Sequence, residues 1–331
     1  MLSSVLILLL MLLLVGVALV AGVSLAMAKV LLSPPRMTGG RALWILRRLS
    51  ASDIGLPSED LTFVVRDERT NRNLKLAAWW IPAPTASTRC ALIIHGYGDS
   101  RLGGIAWAPT FRALGYNVLA IDLRAHGESD GAQTTAGHFE RHDVSQVIDQ
   151  VRAQRPAVTR ELVIFGISLG AAVAGATAAL RDDVDAVIMD SPYSDYPSAA
   201  KTHGDTLGTP GPMFQHLAIT LAQRMSGADL YECAPVRLIP TLACPLMVIH
   251  GADDLLVAPR DMDAVEAATK SRPPELGPTV YWRLDATHHV LALRTDPDEF
   301  RRRIEAFLND ALAFRRAARD PTAPQVVIPR V

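Results

Sequence analysis

The sequence predicts an α/β fold built on a mostly parallel, eight-stranded sheet, preceded by a helix long enough to cross a membrane. Two observations predict it. Beyond residue 60, short apolar runs alternate with segments of helical period. Ahead of them, the chain from Leu2 to Ala28 carries no charged residue. Strands that alternate with helices are typical of βαβ units, in which helices cover both faces of a parallel sheet.

The apolar run over residues 1–28 is the first element. A bilayer-spanning helix needs about 20 apolar residues, and this run exceeds that length. A signal peptide cleaved after Ala26-Met27-Ala28 is the alternative, but the length of the run and the lack of Lys or Arg before it favour a retained anchor. The next stretch, residues 29–60, is a basic juxtamembrane linker that carries Lys29, Arg36, Arg41, Arg47 and Arg48 before its first acidic residue, Asp53. The positive-inside rule therefore predicts a single-pass membrane protein with its C-terminal body on the cytoplasmic side.

Composition excludes several classes of protein. The chain has 33 Lys and Arg against 34 Asp and Glu, a formal net charge of -1, so it lacks the concentrated basic surface that nucleic-acid binding requires. The three cysteines, Cys90, Cys233 and Cys244, fit neither a C-x-x-C pair nor a zinc spacing. We expect them to be small buried side chains, and we expect no metal and no cofactor.

Eight apolar runs are the predicted strands. The first two, residues 61–65 and 74–81, form an antiparallel pair, and Pro82 ends the second. The other six are apolar almost throughout, which is typical of strands buried on both faces: residues 91–94, 118–121, 162–165, 186–189, 245–249 and 279–284. Segments of helical period lie between them, at residues 139–152, 169–180 and 260–269. The folded domain is expected over residues 61–314, followed by a loosely attached tail over residues 315–331.

Polar residues come directly after these strands. The loops read "HGYGD" from residue 95, "DLRAHGES" from residue 122, "DSPY" from residue 190, "HGADD" from residue 250 and "DATHH" from residue 285. Ligands of open α/β sheets bind at the carboxyl ends of the strands. A serine, several acids and two histidines are therefore expected at one edge of the sheet.

The serine lies in Gly166-Ile167-Ser168-Leu169-Gly170, between a predicted strand and a predicted helix. G-x-S-x-G in this setting is a nucleophile elbow, a sharp turn that exposes the serine hydroxyl at the edge of the sheet. The backbone N–H of Leu169, at the start of the helix, can face a developing oxyanion. The pattern alone is weak evidence, and its strand–helix setting and the acid and histidine that follow strengthen it.

Five blocks stand in order along the chain: "LIIHGYGDSR", "VLAIDLRAHGESDG", "IFGISLGAA", "VIMDSPYS" and "VIHGADDLLV". From about Leu61 to Leu312 the chain resembles an α/β-hydrolase of the serine-hydrolase type, and within that superfamily the membrane-anchored, short-capped group described as serine aminopeptidase-like. The chain order serine, acid, histidine is also the order of that family. The resemblance implies an α/β-hydrolase fold and hydrolysis of an ester, thioester or amide through an acyl-enzyme, without choosing among them.

The resemblance also selects the acid. The family pattern H-G-x-x-D-x-x-V, counted from His250, places the acid at Asp254, with Val257 three residues further on. Asp253 is then a loop residue or a cap. Asp190 is the alternative, because some α/β-hydrolases carry the acid after that earlier strand. A turn or helix cap before Pro192 is the interpretation we favour for it.

The histidine is chosen in the same way between His288 and His289. Similar sequences have an aromatic residue eleven positions after the catalytic histidine, and Phe300 stands eleven positions after His289. His289 is then expected to take the proton of Ser168 and return it to the leaving group, with Asp254 holding its tautomer. We expect His288 to make a structural hydrogen bond.

The loop His95-Gly96-Tyr97 lies where the second oxyanion donor of the family belongs. The backbone N–H of Tyr97 is therefore expected to join that of Leu169. The side chain of His95 is expected to bind loop backbone. Three polar residues of the next loop resemble a family block that organises that loop, and we expect them to act as scaffold: Asp122, Arg124 and His126.

Residues 193–241 separate two consecutive strands, and a connection of about fifty residues is too long for an ordinary α/β loop. Residues 214–225 within it have helical period, which indicates a short cap over the site. The alternative is one connecting helix with long loops. Four apolar residues are candidates for the wall of an acyl pocket, although core packing explains them equally well: Met213, Phe214, Leu217 and Leu221.

The sequence therefore predicts a membrane-anchored serine hydrolase that cleaves a small-molecule or lipid-like ester with Ser168, Asp254 and His289. A catalytically silent, membrane-tethered binding or scaffolding protein of the same fold is the alternative, and the intact set of three residues argues against it. Peptidase activity is less expected, because no acidic group that would recognise a substrate amine is evident.

Overall fold

The computed structural model describes residues 2–206 and 208–319. Its eight strands coincide with the eight predicted runs, and their bounds differ from the predicted ones by two residues or fewer. They are β1 Glu59–Arg66, β2 Asn73–Ile81, β3 Arg89–Ile94, β4 Asn117–Ile121, β5 Glu161–Ile167, β6 Ala186–Asp190, β7 Leu246–Gly251 and β8 Thr279–Leu284.

The strands form one sheet in the order β1-β2-β4-β3-β5-β6-β7-β8. The pairs β1–β2 and β2–β4 are antiparallel, and the other five pairs are parallel. The predicted mostly parallel sheet is therefore confirmed. Strand β5 lies between β3 and β6, so the loops that follow these three strands meet at the carboxyl edge, where the predicted nucleophile lies.

Helices cover both faces of the sheet and extend beyond it. They are α1 Leu2–Leu32, α2 Gly39–Leu46, α3 Arg101–Gly104, α4 Ala108–Ala113, α5 Glu140–Gln154, α6 Leu169–Ala179, α7 Tyr196–Thr206, α8 Pro212–Ser226, α9 Pro235–Leu238, α10 Pro259–Lys270, α11 Ala292–Thr295 and α12 Pro297–Arg319. The insertion between β6 and β7 contains α7, α8 and α9. Of these, α7 was not foreseen from the sequence.

Alternate residues of β5 show how the sheet is buried. Leu162 and Ile164 belong to a core that includes residues of α5, α6 and the cap, whereas Val163 and Phe165 pack on the other face with residues of α4 and α12. Strands covered on both faces cannot alternate apolar with polar residues, and this explains the unbroken apolar runs in the sequence.

Helix α1 runs four residues beyond the predicted boundary at residue 28. By length and composition its segment Ser4–Leu32 could cross a membrane. The expected linker of residues 29–60 is packed on the domain, because the guanidinium of Arg36 donates to four backbone carbonyls of the loop after β4, at His126, Gly127, Ser129 and Gly131.

The expectation of a loose tail from residue 315 is wrong for its first five residues. They belong to α12, and the guanidinium of Arg319 lies 2.9 Å from the carboxylate of Asp185. The remaining tail, residues 320–331, lies outside the described residues.

Candidate active site

Ser168 occupies a strained turn between β5 and α6. Its backbone has φ 54° and ψ -113°, a conformation that side-chain-bearing residues rarely adopt. The turn is held by its neighbour on the sheet, because the N–H of Ser168 donates to the carbonyl oxygen of Asp190 at 2.8 Å. The serine is half-buried, at the edge where the strands β3, β5 and β6 end.

Two glycines make this turn possible. A Cβ atom at Gly166 would lie 2.1 Å from the carbonyl oxygen of Gly170, and one at Gly170 would lie 2.2 Å from the carbonyl oxygen of Ile94. Both distances are far inside van der Waals contact, so a side chain at either position would force the strand and the helix apart. The G-x-S-x-G pattern is therefore explained by close backbone packing around Ser168.

Asp254 and His289 come together in the loops after β7 and β8. The Nδ1 atom of His289 lies 2.6 Å from Oδ2 of Asp254. The other carboxylate oxygen accepts the backbone N–H groups of Leu256 and Val257, at 2.8 and 2.9 Å. The Asp254 side chain is fully buried and the His289 side chain only slightly exposed. Three hydrogen bonds thus fix the carboxylate, which in turn fixes the orientation of the imidazole.

The loop that carries the imidazole is linked to the serine backbone through the end of β6. Val290, the residue after His289, donates its N–H to Oγ of Ser191 at 3.0 Å, and Ser191 follows the Asp190 that holds the Ser168 backbone. Over the described part of the chain, Nε2 of His289 and Oγ of Ser168 make no hydrogen bond, to each other or to another group. Such bonds are often long in the absence of substrate and shorten when it binds.

The neighbouring candidates make other contacts. His288 is exposed, and its Nδ1 lies 2.8 Å from the backbone oxygen of Asp253, so these two residues tie the two loops together on the outside. Asp190 is fully buried, and its Oδ1 accepts the hydroxyl of Ser191 at 3.1 Å. Burial raises the pKa of Asp190 to about 7. Asp254, and not Asp190, is the carboxylate bonded to the histidine.

The loop after β3 lies beside the serine. A Cβ atom at Gly96 would stand 3.4 Å from Cβ and 4.0 Å from Oγ of Ser168. Within residues 2–206 and 208–319, the backbone N–H groups of Tyr97 and Leu169 find no acceptor. Two N–H groups that flank a serine and lack a partner are the arrangement that an oxyanion would require.

Comparisons with known proteins agree with this fold. A family model described as "Serine aminopeptidase, S33" matches residues 85–230, which include Ser168 and stop short of Asp254 and His289. Two solved structures share the fold. One is the esterase Pf2001 of Pyrococcus furiosus, and the other is the α/β hydrolase GrgF from Penicillium sp. sh18. The first superposes with a TM-score of 0.66 at 23% identity, covering 84% of this chain and 97% of the esterase. The second has a TM-score of 0.60 at 18% identity, covering 78% of this chain and 100% of GrgF.

The chain has the α/β-hydrolase fold, and its sequence resembles proteins of that superfamily. Two curated relatives illustrate its range. Protein YqkD of Bacillus subtilis is 26% identical over 233 residues, which are 69% of this chain and 73% of YqkD. The lysophosphatidylserine lipase ABHD12 of Macaca fascicularis is 25% identical over 197 residues, which are 54% of this chain and 45% of that lipase. The chain thus spans about half the length of the lipases it matches.

Buried polar groups hold the loops of this α/β-hydrolase in place. The N–H of Leu123 donates to Nε2 of His95 at 3.0 Å, so Nδ1 carries the proton and donates to the carbonyl of Gly96 at 2.8 Å. His95 therefore joins the loops after β3 and β4. Burial lowers its pKa to about 4 and that of His126 to about 3, so both rings are neutral near pH 7.

Two arginine–carboxylate pairs complete this scaffold. Asp122 accepts both the backbone N–H and the guanidinium of Arg101, at 2.6 and 2.5 Å. Arg124 donates to both oxygens of Asp143, at 2.6 and 2.7 Å, and to Asp67 at 3.0 Å. The pairs are buried, which agrees with a structural role. In the described ranges, no group of three or more His, Cys, Asp and Glu side chains is placed to hold a metal ion.

A cavity of about 560 Å³ lies between α1 and the cap helices α7 and α8. Helix α8 turns Gln215, Ala218 and Ile219 toward it. The pocket-wall candidates of the sequence are wrong for this cavity, because its lining includes none of them: Met213, Phe214, Leu217 and Leu221. Met213 is 56% exposed, whereas Leu221 packs on the core.

The sequence analysis missed the contacts between α1 and the edge of the site. The hydroxyl of Tyr97 donates to the carbonyl oxygen of Val30 in the last turn of α1. That of Tyr196, at the start of α7, donates to the carbonyl oxygen of Leu31 at 2.7 Å. No local pattern signals either contact, since each joins residues far apart in the chain.

Proposed function

We propose that this α/β-hydrolase is a membrane-anchored serine hydrolase that cleaves a carboxylic ester of a lipid-like substrate through Ser168, His289 and Asp254. The observation that carries the proposal is the 2.6 Å pair of His289 and buried Asp254, next to a serine held in a strained elbow. The named relatives favour an ester, because one is an esterase and others are lysophosphatidylserine lipases.

In this mechanism Oγ of Ser168 attacks the ester carbonyl while Nε2 of His289 takes its proton. Asp254, bonded to Nδ1, keeps Nε2 free to accept and stabilises the imidazolium. The oxyanion of the tetrahedral intermediate accepts the N–H groups of Tyr97 and Leu169. His289 then protonates the alcohol that leaves. Water repeats the sequence on the acyl-enzyme and releases the acid.

The anchor belongs to the same proposal. Helix α1 keeps the domain at the bilayer, where apolar esters concentrate. The basic residues that follow the apolar run, among them Lys29 and Arg41, favour the cytoplasmic face for the domain by the positive-inside rule.

The test is labelling of the detergent-solubilised full chain with a fluorophosphonate, which reacts with activated serines. We expect the wild type to be labelled, Ser168→Ala to be unlabelled, and Ser52→Ala, a variant at an exposed serine remote from the strand ends, to be labelled like the wild type. Circular dichroism checks that each variant is folded. A folded wild type that stays unlabelled would overturn the proposal in favour of a silent scaffolding protein, and labelled Ser168→Ala would assign the nucleophile elsewhere.

A further inference from the structure

Helix α1 has two parts that differ in what covers them. From residue 4 to residue 22 its side chains are exposed, apart from a half-buried Val20. At 1.5 Å per residue this part is about 28 Å long, close to the roughly 30 Å hydrocarbon thickness of a bilayer. Beyond it, Ser24, Ala28 and Leu32 are fully buried at helical spacing. The length that matches a bilayer therefore ends where the helix enters the domain.

The cavity begins at that boundary. Its α1 wall consists of Val23, Ala26, Met27, Val30 and Leu31, which extend along about 12 Å of helix. Residues of α7 and α8, such as Ala200 and Ile219, form the opposite wall, and the surface between them is mostly apolar. An apolar cavity next to the membrane level is suited to hydrocarbon rather than to a polar ligand.

The size of the cavity limits what it can hold. A water molecule occupies about 30 Å³ of liquid, so a space of this volume holds on the order of twenty groups of that size. One long acyl chain has about that number of methylene groups, so the cavity has room for a substrate with a single chain.

The turn of α1 at one end of the cavity also contacts the loop beside Ser168. Val30 and Leu31 line the cavity, and their carbonyl oxygens accept the hydroxyls of Tyr97 and Tyr196. Tyr97 follows Gly96, which lies against Ser168. One turn of α1 is therefore shared by the cavity and by the loop that carries a proposed oxyanion donor.

We propose that this cavity binds the acyl chain of a single-chain amphiphile that enters from the bilayer, so that the membrane helix forms one wall of the substrate site. The inference rests on the proposed function, since it places the ester of that amphiphile at Ser168. It assigns α1 a part in substrate selection in addition to anchoring.

Filling the cavity tests the proposal. Ala26→Trp places an indole inside it from α1, and Ala200→Phe places a ring inside it from α7. Ala18→Trp is the matched control, because Ala18 lies on the same helix in the exposed part outside the cavity. The measured quantity is the ratio of kcat/KM for a palmitoyl ester to that for an acetyl ester, with the full chain in phosphatidylcholine nanodiscs.

We expect both filled variants to lower this ratio by about tenfold, which corresponds to about 1.4 kcal/mol, and Ala18→Trp to leave it unchanged. The reason is that displaced methylenes lose their apolar burial, whereas an acetyl group never reaches the cavity. An unchanged ratio in both filled variants, or an equal fall in Ala18→Trp, would overturn the proposal. Ala200→Phe lies outside the membrane helix, so it remains informative if Ala26→Trp fails to insert.

Fluorophosphonate labelling of the same samples separates this inference from the proposed function. Labelled protein with an unchanged ratio would reject the acyl site alone, whereas a folded wild type without labelling would reject both.

A crosslinking experiment tests the source of the chain. Folded Ser168→Ala protein in the same nanodiscs is irradiated with a monoacyl phospholipid that carries a diazirine at the end of its chain. We expect adducts on residues 23–31 or 212–226, and we expect Ala26→Trp to diminish them. Adducts confined to the exposed residues 4–22 would show contact with bulk lipid only and would overturn the proposal.

Discussion

Two layers of the molecule lie on either side of the loop after β3, which is next to Ser168, and they differ in polarity. The strand-end loops below it are polar and closely bonded, as the buried pairs Arg101–Asp122 and Arg124–Asp143 show. The layer of α1, α7 and α8 above it is mostly apolar and encloses a cavity. Under the proposed function, the polar layer fixes the geometry of the reacting groups, and the apolar layer leaves room for a variable substrate.

The two layers should therefore respond differently to substitution. A buried polar group that loses its partner pays a desolvation cost and shifts its loop, so changes in the lower layer should affect the rate of reaction for every substrate. Changes in the upper layer alter volume and apolar contact, and they should affect which substrate reacts. Each prediction below tests one side of this difference, beginning with the largest effect.

Asp254→Asn should have the largest effect on rate. An amide in place of the carboxylate can hold the imidazole of His289 in the wrong tautomer, and kcat should fall by a factor of about 10⁴ for short and long esters alike. Asp253→Asn is the matched control, because the adjacent side chain is exposed and should leave kcat unchanged. Steady-state kinetics on both esters is the measurement. An active Asp254→Asn, or an equally inactive Asp253→Asn, would refute the proposed acid.

The polar layer was largely predictable from the sequence, and the apolar layer was not. Strand-end residues could be predicted because parallel strands bring their carboxyl ends to one edge of a sheet, so chain order alone predicts Ser168, Asp254 and His289 at the same edge. The choice of Asp254 over Asp190 came from family spacing. The structure supports it with the hydrogen bond from His289.

The contacts between α1 and the cap could not be predicted from the sequence, for a physical reason. The bonds from Tyr97 to Val30 and from Tyr196 to Leu31 depend on how α1 docks on the cap, and apolar docking leaves no motif. Helix α7 was missed because its sequence, "YPSAAKTHGDT", contains proline, glycine and threonine, which are poor helix formers. Arg36 looked like one basic residue among several in the linker.

Arg36→Ala should have the next largest effect, on stability. Its guanidinium is bonded to four carbonyls of the loop after β4, and hydrogen bonds to charged groups contribute about 1.5–3 kcal/mol each before solvent exposure reduces them. We expect the free energy of unfolding to fall by roughly 1–3 kcal/mol. Arg41→Ala, an exposed arginine of the same linker with no side-chain partner among the described residues, should have little effect. Thermal unfolding in detergent measures both, and equal Tm values for the two variants would show that the linker is not fastened through Arg36.

Tyr97→Phe tests whether α1 also helps to position the oxyanion loop. The variant keeps the ring and removes the bond to Val30, a loss of about 0.5–1.5 kcal/mol that should lower kcat roughly 2–10-fold with little change in KM. Tyr196→Phe removes the equivalent bond to Leu31. Because its helix, α7, carries no proposed oxyanion donor, kcat should stay unchanged. If the two variants lose kcat equally, the contact is only structural. If both raise KM for the palmitoyl ester alone, these tyrosines act through the acyl cavity instead.

Asp190→Asn should have the smallest effect, and one that depends on pH. Burial raises the pKa of this carboxyl to about 7, from an ordinary 3.8. From about pH 4 to pH 7 the folded protein therefore holds a proton that the unfolded chain has released, so this group makes stability fall as pH rises through that window. Asparagine carries no such proton, and its amide can occupy the place of Oδ2, which has no hydrogen-bond partner among the described residues. The Tm of Asp190→Asn should therefore rise relative to that of the wild type between pH 5 and pH 8, by roughly 2–4 °C for each kcal/mol of stability that the wild type loses.

Fluorophosphonate labelling should persist in Asp190→Asn, because Asp254 is the carboxylate bonded to His289. A constant Tm difference would mean that Asp190 is ionised in the folded protein, and that the polar layer tolerates a second buried negative charge beside the first.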